Sequence, residues 1–299
     1  MIVMTIGLTR CVDETNKRLN KELDWLRQEG IKVELVEEKK GGITFLTCDI
    51  DGENPLYEEE GFRERLCASI SKALSELIVG DAEEHFVERL IRRNHTDFAI
   101  SERKMILEIV KELLHPCSNE DKSGIMRYKK RKEEIYSILY DYLRDSDQLI
   151  LDGFIRFRLK DYVEELEDTI DIAVDSYLTK KEYGEFVKLL RYFLELQEPR
   201  MDEVQVILEK EGFFKLLDGK NNMINNEYLE GFILDMVDND VNYDDLLISA
   251  LITIAPAKIV LHFQDERNVI GTIQDVFIER VALCQGCSLC KPGAKPLGK

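Results

Sequence analysis

The chain has 299 residues, enough for about two ordinary domains. Hydrophobic residues make up 44% and charged residues 33%, with only 6 prolines, so a buried core is readily supplied and a disordered or fibrous chain is excluded. Lys and Arg number 41 against 59 Asp and Glu, a net charge of −18. Such a chain repels phosphate unless its positive charge is gathered in one place, which excludes a generally basic nucleic-acid binder.

Residues 1–52 open with a β-prone run at 2–8 (IVMTIGL). A helical stretch follows, with Leu19, Leu23 and Leu26 on one face and Gly30 as its stop. Two alternating runs, 31–37 and 43–50, are joined through Lys39-Lys40-Gly41-Gly42, and the paired glycines are a hairpin signal. The block reads β-α-β-β.

Residues 53–199 carry almost no strand signal. Breaks are expected at Gly80-Asp81, around 94–97, between His115 and Gly124, and at Asp152-Gly153. From Phe154 onward, Ile155, Leu159, Tyr162, Val163, Leu166, Ile170, Val174 and Tyr177 mark one face of an amphipathic helix. Phe186, Leu189, Leu190, Phe193 and Leu196 extend the helical pattern towards Pro199.

Residues 200–283 read β-β-α-α-β-α. Runs 204–208 and 213–217 are strands, Asn226 and Asn242 are caps of two helices, and Pro256 ends the second. Residues 258–263 form a β-run and a last helix spans 268–284. Residues 284–299 are a Cys-containing tail. The fold expected is α+β, predominantly helical, with small mixed sheets built from the N- and C-terminal blocks.

No secretory signal is expected: residues 1–9 are apolar but lack a basic n-region and a small-residue cleavage site. The longest apolar run, 246–257 (LLISALITIAPA), falls short of the ~20 residues a membrane span requires. The count of 7 cysteines is odd and thinly spread, unlike a secreted disulfide framework. A cytoplasmic protein with reduced thiols is expected.

Cys284, Cys287 and Cys290 form a C-x2-C-x2-C cluster with Gly286 at its first turn. Thiolates so spaced can share one metal ion. The cluster fits Zn with a fourth ligand from elsewhere, or three ligands of an iron–sulfur cluster; the ferredoxin run is truncated, because Lys291-Pro292 follows directly. Cys11, Cys48, Cys67, Cys117 and His262 are candidates for the fourth position. A metal-free thiol tail is the plainer alternative.

Asp238, Asp240 and Asn242 begin like a calcium loop, but Tyr243 stands where that loop needs Gly and Ser249 where it needs Glu, so a helix cap explains them better. Residues 126–132 (MRYKKRK) are the densest positive run, read as a solvated helix start. Arg156, Arg158 and Lys160 form a second basic patch among Phe154, Phe157 and Leu159. On a continuous helix Arg156 and Lys160 share a face with Glu164, so intrahelical pairing is the default and contact with a partner or anion the alternative. No G-x-S-x-G, P-loop, G-x-G-x-x-G or zincin motif is present, and no catalytic constellation emerges.

Three stretches, DGFIRFRLKDY at 152–162, YGEFVKLLRYF at 183–193 and VFIERVALCQGCSLC at 276–290, resemble the YtxC-like sporulation proteins of endospore-forming Firmicutes. The resemblance implies a cytoplasmic, sporulation-associated protein with no established reaction, and it transfers no catalytic residue. The expectation is a non-enzymatic protein acting through a protein partner, with a metal or redox element at its end. A metal-dependent enzyme or redox protein, and an RNA- or ribosome-associated factor using the two basic patches, are the alternatives.

Overall fold

The structure, a computed structural model, describes residues 2–50, 61–115, 122–209, 214–224, 243–263, 269–287 and 289–290. Two compact units divide the chain, Met1–Leu178 and Thr179–Lys299.

The first unit begins with β1 (Ile2–Leu8), α1 (Val12–Glu22), α2 (Asp24–Gln28), β2 (Val33–Lys40) and β3 (Ile43–Ile50). Lys40 pairs with Ile43, so Gly41-Gly42 is the whole turn, and Gly41 takes φ +63°, which a hairpin turn of this length asks of glycine. Alternate residues of β1 and β3 (Met4, Ile6, Leu8; Leu46, Cys48, Ile50) are buried, the period-two pattern of a sheet with one face on the core. Helices α3 (Phe62–Ile78), α4 (Asp81–Asn94), α5 (Ile100–Leu114) and α6 (Lys122–Asp145) follow. Leu66, Ile70, Leu74 and Leu77 step along α3 and are fully buried, and α3 packs against both α1 and α6.

Strand β4 (Gln148–Ile150) then adds itself to the edge of β1 in parallel, giving the sheet order β2-β3-β1-β4. The middle of the chain therefore holds a strand where none is expected. It is three residues long and only Leu149 is buried, too short to show a period. The break expected at Asp152-Gly153 lies instead inside α7 (Leu151–Arg158). Leu159, at φ −104° and ψ 51°, separates α7 from α8 (Lys160–Glu195), so the expected continuous helix is two.

The second unit takes the last part of α8 and then β5 (Val204–Leu208), β6 (Phe214–Asp218), α9 (Tyr243–Ile254), β7 (Ile259–Leu261), α10 (Val269–Phe277), a 3-10 turn (Ile278–Arg280) and β8 (Val281–Leu283). Its sheet has the order β6-β5-β7-β8, with β5 antiparallel to β6 and parallel to β7, and β7 parallel to β8. The helix expected from Asn226 and the cap at Asn242 lie outside the described residues. The last helix is shorter than expected: Ile278 takes φ +45°, the helix stops, and residues 281–283 become a strand. Tertiary pairing decides this, since Val281, Ala282 and Leu283 gain backbone partners along β7. Val204, Val206, Leu251, Ile259, Leu261 and Ile273 form the centre of this core.

The chain is thus α+β and predominantly helical, with two mixed four-stranded sheets; the N- and C-terminal strands belong to separate sheets. Among the described residues no helix is long and apolar enough to cross a membrane.

The packing of α3 carries a direct prediction. Leu74 has no exposed surface, so Leu74→Ala removes buried apolar area and leaves a cavity, costing about 2–5 kcal/mol. Urea unfolding followed by circular dichroism measures it; a change below about 0.5 kcal/mol contradicts a close-packed α3.

Candidate metal centre

The centre is built at the carboxyl ends of two neighbouring parallel strands. His262 follows β7 directly, and its backbone amide donates to the carbonyl of Val206 in β5 at 2.8 Å. Cys284 follows β8, and its amide donates to the carbonyl of Leu261 at 2.9 Å. One hydrogen bond thus carries the β7–β8 pairing one residue beyond β8 and sets the first cysteine beside the histidine.

The chain then folds back in a knuckle. Gly286 takes φ +116°, a conformation that side chains with a Cβ rarely adopt, and its amide donates to Cys284 Sγ at 3.4 Å. The amide of Leu289 donates to Cys287 Sγ, also at 3.4 Å, and the amide of Cys290 to the carbonyl of Cys287 at 3.1 Å. Amide donors pointed at sulfur favour the thiolate, the form in which cysteine binds metal.

Four ligand atoms converge: one from His262 and the Sγ of Cys284, Cys287 and Cys290, all within 4.8 Å of one another. His262 Nδ1 lies 3.3 Å from Cys287 Sγ and 3.5 Å from Cys290 Sγ. Cys290 Sγ lies 3.6 Å from Cys284 Sγ and 3.9 Å from Cys287 Sγ. These separations are well beyond the ~2.05 Å of a disulfide. They match the edges of a tetrahedron about one Zn2+, roughly 3.8 Å between sulfurs and 3.5 Å from sulfur to nitrogen for Zn–S near 2.3 Å and Zn–N near 2.0 Å.

The electrostatics agree with a ligand set. Burial pushes the His262 imidazole below its usual range, against a smaller opposing effect of Glu203, and so favours the neutral ring a metal needs. The Cys287 thiol is held low, chiefly by the amide of Leu289, whereas Cys284 is raised, chiefly by desolvation. His262 Nε2 is buried with no hydrogen-bond partner among the described residues.

Of the other candidates for the fourth position, Cys117 lies outside the described residues. Cys48 and Cys67 are core residues of the first unit, and burial pushes the Cys48 thiol up to about 12. Cys67 Sγ donates to the carbonyl of Leu143 at 3.3 Å, and Cys11 begins α1 at φ 54°. None of these three joins the cluster.

The basic patch is divided by the break at Leu159. Arg156 and Arg158 sit on α7, cut off from the helix that carries Glu164, whereas Lys160 opens α8 four residues before Glu164 and makes no ion pair with it. Arg156 instead lies over the ring of Phe157 and Arg158 over that of Tyr142, at 5.8 and 5.7 Å. In the run 126–132, Lys132 pairs with Glu76 at 2.6 Å and Lys130 with Glu134 at 3.6 Å. Arg131 is not a solvated surface residue, being only 6% exposed.

A buried polar network around Arg131 has no signal in the sequence. Glu83, 2% exposed on α4, accepts from Tyr162 Oη at 2.7 Å and lies 2.6 Å from His115 Nε2 and 3.8 Å from Arg131 Nη1. Arg131 Nη2 donates to the carbonyl of Leu114 at 3.1 Å. Desolvation, reinforced by Glu83, raises the Tyr162 phenol well above its usual range, so it is a hydrogen-bond donor throughout the physiological range.

Residues 68–282 match the model of the YtxC-like family, and the chain belongs to that family. It is similar to "Uncharacterized protein YtxC" of Bacillus subtilis (strain 168), with 25% identity over 242 residues, covering 78% of this chain and 80% of that protein. No solved structure matches.

Two outcomes test this description. Tyr162→Phe removes one charge-assisted donor from the buried Glu83 and should cost about 1–3 kcal/mol in urea unfolding; a neutral effect removes the network from the account. In metal-free native protein at neutral pH, an alkylating reagent should modify Cys287 first and Cys48 and Cys67 last, as read by peptide mass spectrometry. Early modification of Cys48 contradicts its burial.

Proposed function

We propose that this protein is a cytoplasmic, sporulation-associated zinc protein in which Cys284, Cys287, Cys290 and His262 hold one Zn2+ as a structural clip. The observation that carries the reading is the spacing of the four ligand atoms, all within 4.8 Å of one another and 3.3 to 3.9 Å apart along the edges His262–Cys287, His262–Cys290, Cys284–Cys290 and Cys287–Cys290. Ligands of one ion lie this close together, whereas a [4Fe–4S] cube spreads its thiolates over separate irons. Four protein ligands also close the coordination shell, while a catalytic zinc keeps a position open for water or substrate. A structural role, and not an enzymatic one, follows from that count. The six described cysteines are all free thiols, as suits a reducing compartment. The resemblance to sporulation proteins supports the cellular role, and the acidic surface supports action through a protein partner.

The clip has a mechanical consequence. β8 is only three residues long, and its carboxyl end is tied to that of β7 by the ligand set. Binding free energy at such a site is folding free energy for the segment it joins.

Metal analysis of the purified chain should find about one Zn per molecule and little Fe. Cys287→Ser and His262→Ala should each remove most of it, and chelation should lower the thermal transition of the wild type but not of the variants. Several Fe per chain, or no metal in the wild type, overturns the proposal.

A further inference from the structure

A cavity of about 670 Å3 lies in the first unit along α6 and the corner between α7 and α8. That is within the ~300–1,000 Å3 of small-molecule sites. Ile138, Phe157 and Leu159 give it apolar walls, and Arg131, Arg158 and Lys160 bring three cations to it.

Several features set it apart from an ordinary surface groove. In a chain of net charge −18, Arg158 and Lys160 make no ion pair among the described residues. Arg131 stands at the cavity with its Nε and Nη1 buried and without hydrogen-bond acceptors among the described residues, although Glu83 and Glu165 lie 3.8 and 3.9 Å from Nη1. Phe157 leaves 67% of its surface exposed at the same place. Arg156 lies over that ring at 5.8 Å and Arg158 over Tyr142 at 5.7 Å, but neither Arg158 nor Lys160 has a carboxylate partner, which leaves the ring and the two cations available to a planar anion.

Three carboxylates also line the cavity, Glu134, Asp161 and Glu165. Glu134 is turned to Lys130 and Glu165 faces Arg131, at 3.6 and 3.9 Å. Asp161 makes no ion pair among the described residues. A simple inorganic anion gains nothing from it, but a ligand that presents hydroxyl or amino donors along with its acid group does.

We propose that this cavity binds a mononucleotide. Its phosphate sits on Arg158 and Lys160, its base lies against the ring of Phe157, and its sugar hydroxyls donate to Asp161. Cation, ring and carboxylate each answer one part of that ligand: charge-assisted bonds to phosphate, stacking on an aromatic face, and acceptance from ribose. This site is independent of the metal centre, since every residue in it belongs to the first unit.

Isothermal titration of the full-length, metal-loaded chain with AMP, UMP, adenosine and inorganic phosphate tests it. AMP or UMP should bind at one site per chain. The Arg158→Ala/Lys160→Ala double variant should weaken that binding at least about tenfold. Phe157→Ala should weaken the nucleotide and leave any phosphate binding unchanged. All three residues are exposed, so the variants should keep the wild-type far-UV circular dichroism. No binding of AMP or UMP at millimolar concentration overturns the proposal, as does nucleotide binding that the double variant leaves intact. Inorganic phosphate binding as tightly as either nucleotide overturns the nucleotide assignment.

Discussion

The amide of Cys284 donates to the carbonyl of Leu261, and with that bond the parallel pairing of β7 and β8 continues one residue past the end of β8. Everything at the candidate metal centre depends on this register. A shift of one residue would exchange the faces of the two strands and carry the cysteine knuckle away from His262. The strands are only three residues each, and the register is reinforced from behind by α10, whose Ile273, Val276 and Phe277 are buried in the same core. The fold places an imidazole and a thiol knuckle together; the knuckle itself is a local matter of Gly286 and the amides around the sulfurs.

The two units use cysteine in opposite ways. In the first, Cys48 and Cys67 are small apolar side chains within a core built on β1, β3 and α3, and burial keeps their thiols protonated. In the second, three cysteines lie at the edge of a sheet, within reach of amide donors and a histidine. Spacing along the chain follows the same division. Cys48 and Cys67, alone in sequence, pack as hydrophobes, and the trio at intervals of three gathers its sulfurs beside His262.

Much of the fold was legible where local chemistry decides it. The glycine pair at 41–42 marked the hairpin, the apolar period from Ile155 onward marked α7 and much of α8, and alternation marked β2 and β3. The parts that escaped are set by tertiary pairing. β4 and β8 are too short to show a period, and β8 continues from a helical pattern that ends at a left-handed Ile278. The break at Leu159 has no proline or glycine to announce it. At the site, the three cysteines were evident from spacing, whereas His262 is one of five candidates until the sheet brings β7 beside β8. Glu83 could not be distinguished in a chain with 59 acidic residues, because only burial makes it exceptional.

On the proposed reading, the four-ligand centre at the end of the sheet holds one Zn2+ that stabilises this member of the YtxC-like family. X-ray absorption at the Zn edge of the purified protein tests that claim most directly. The account predicts three sulfur scatterers near 2.3 Å and one nitrogen near 2.0 Å, without a water ligand. A shell of oxygen and nitrogen alone, or iron with iron–iron scattering in its place, would contradict it.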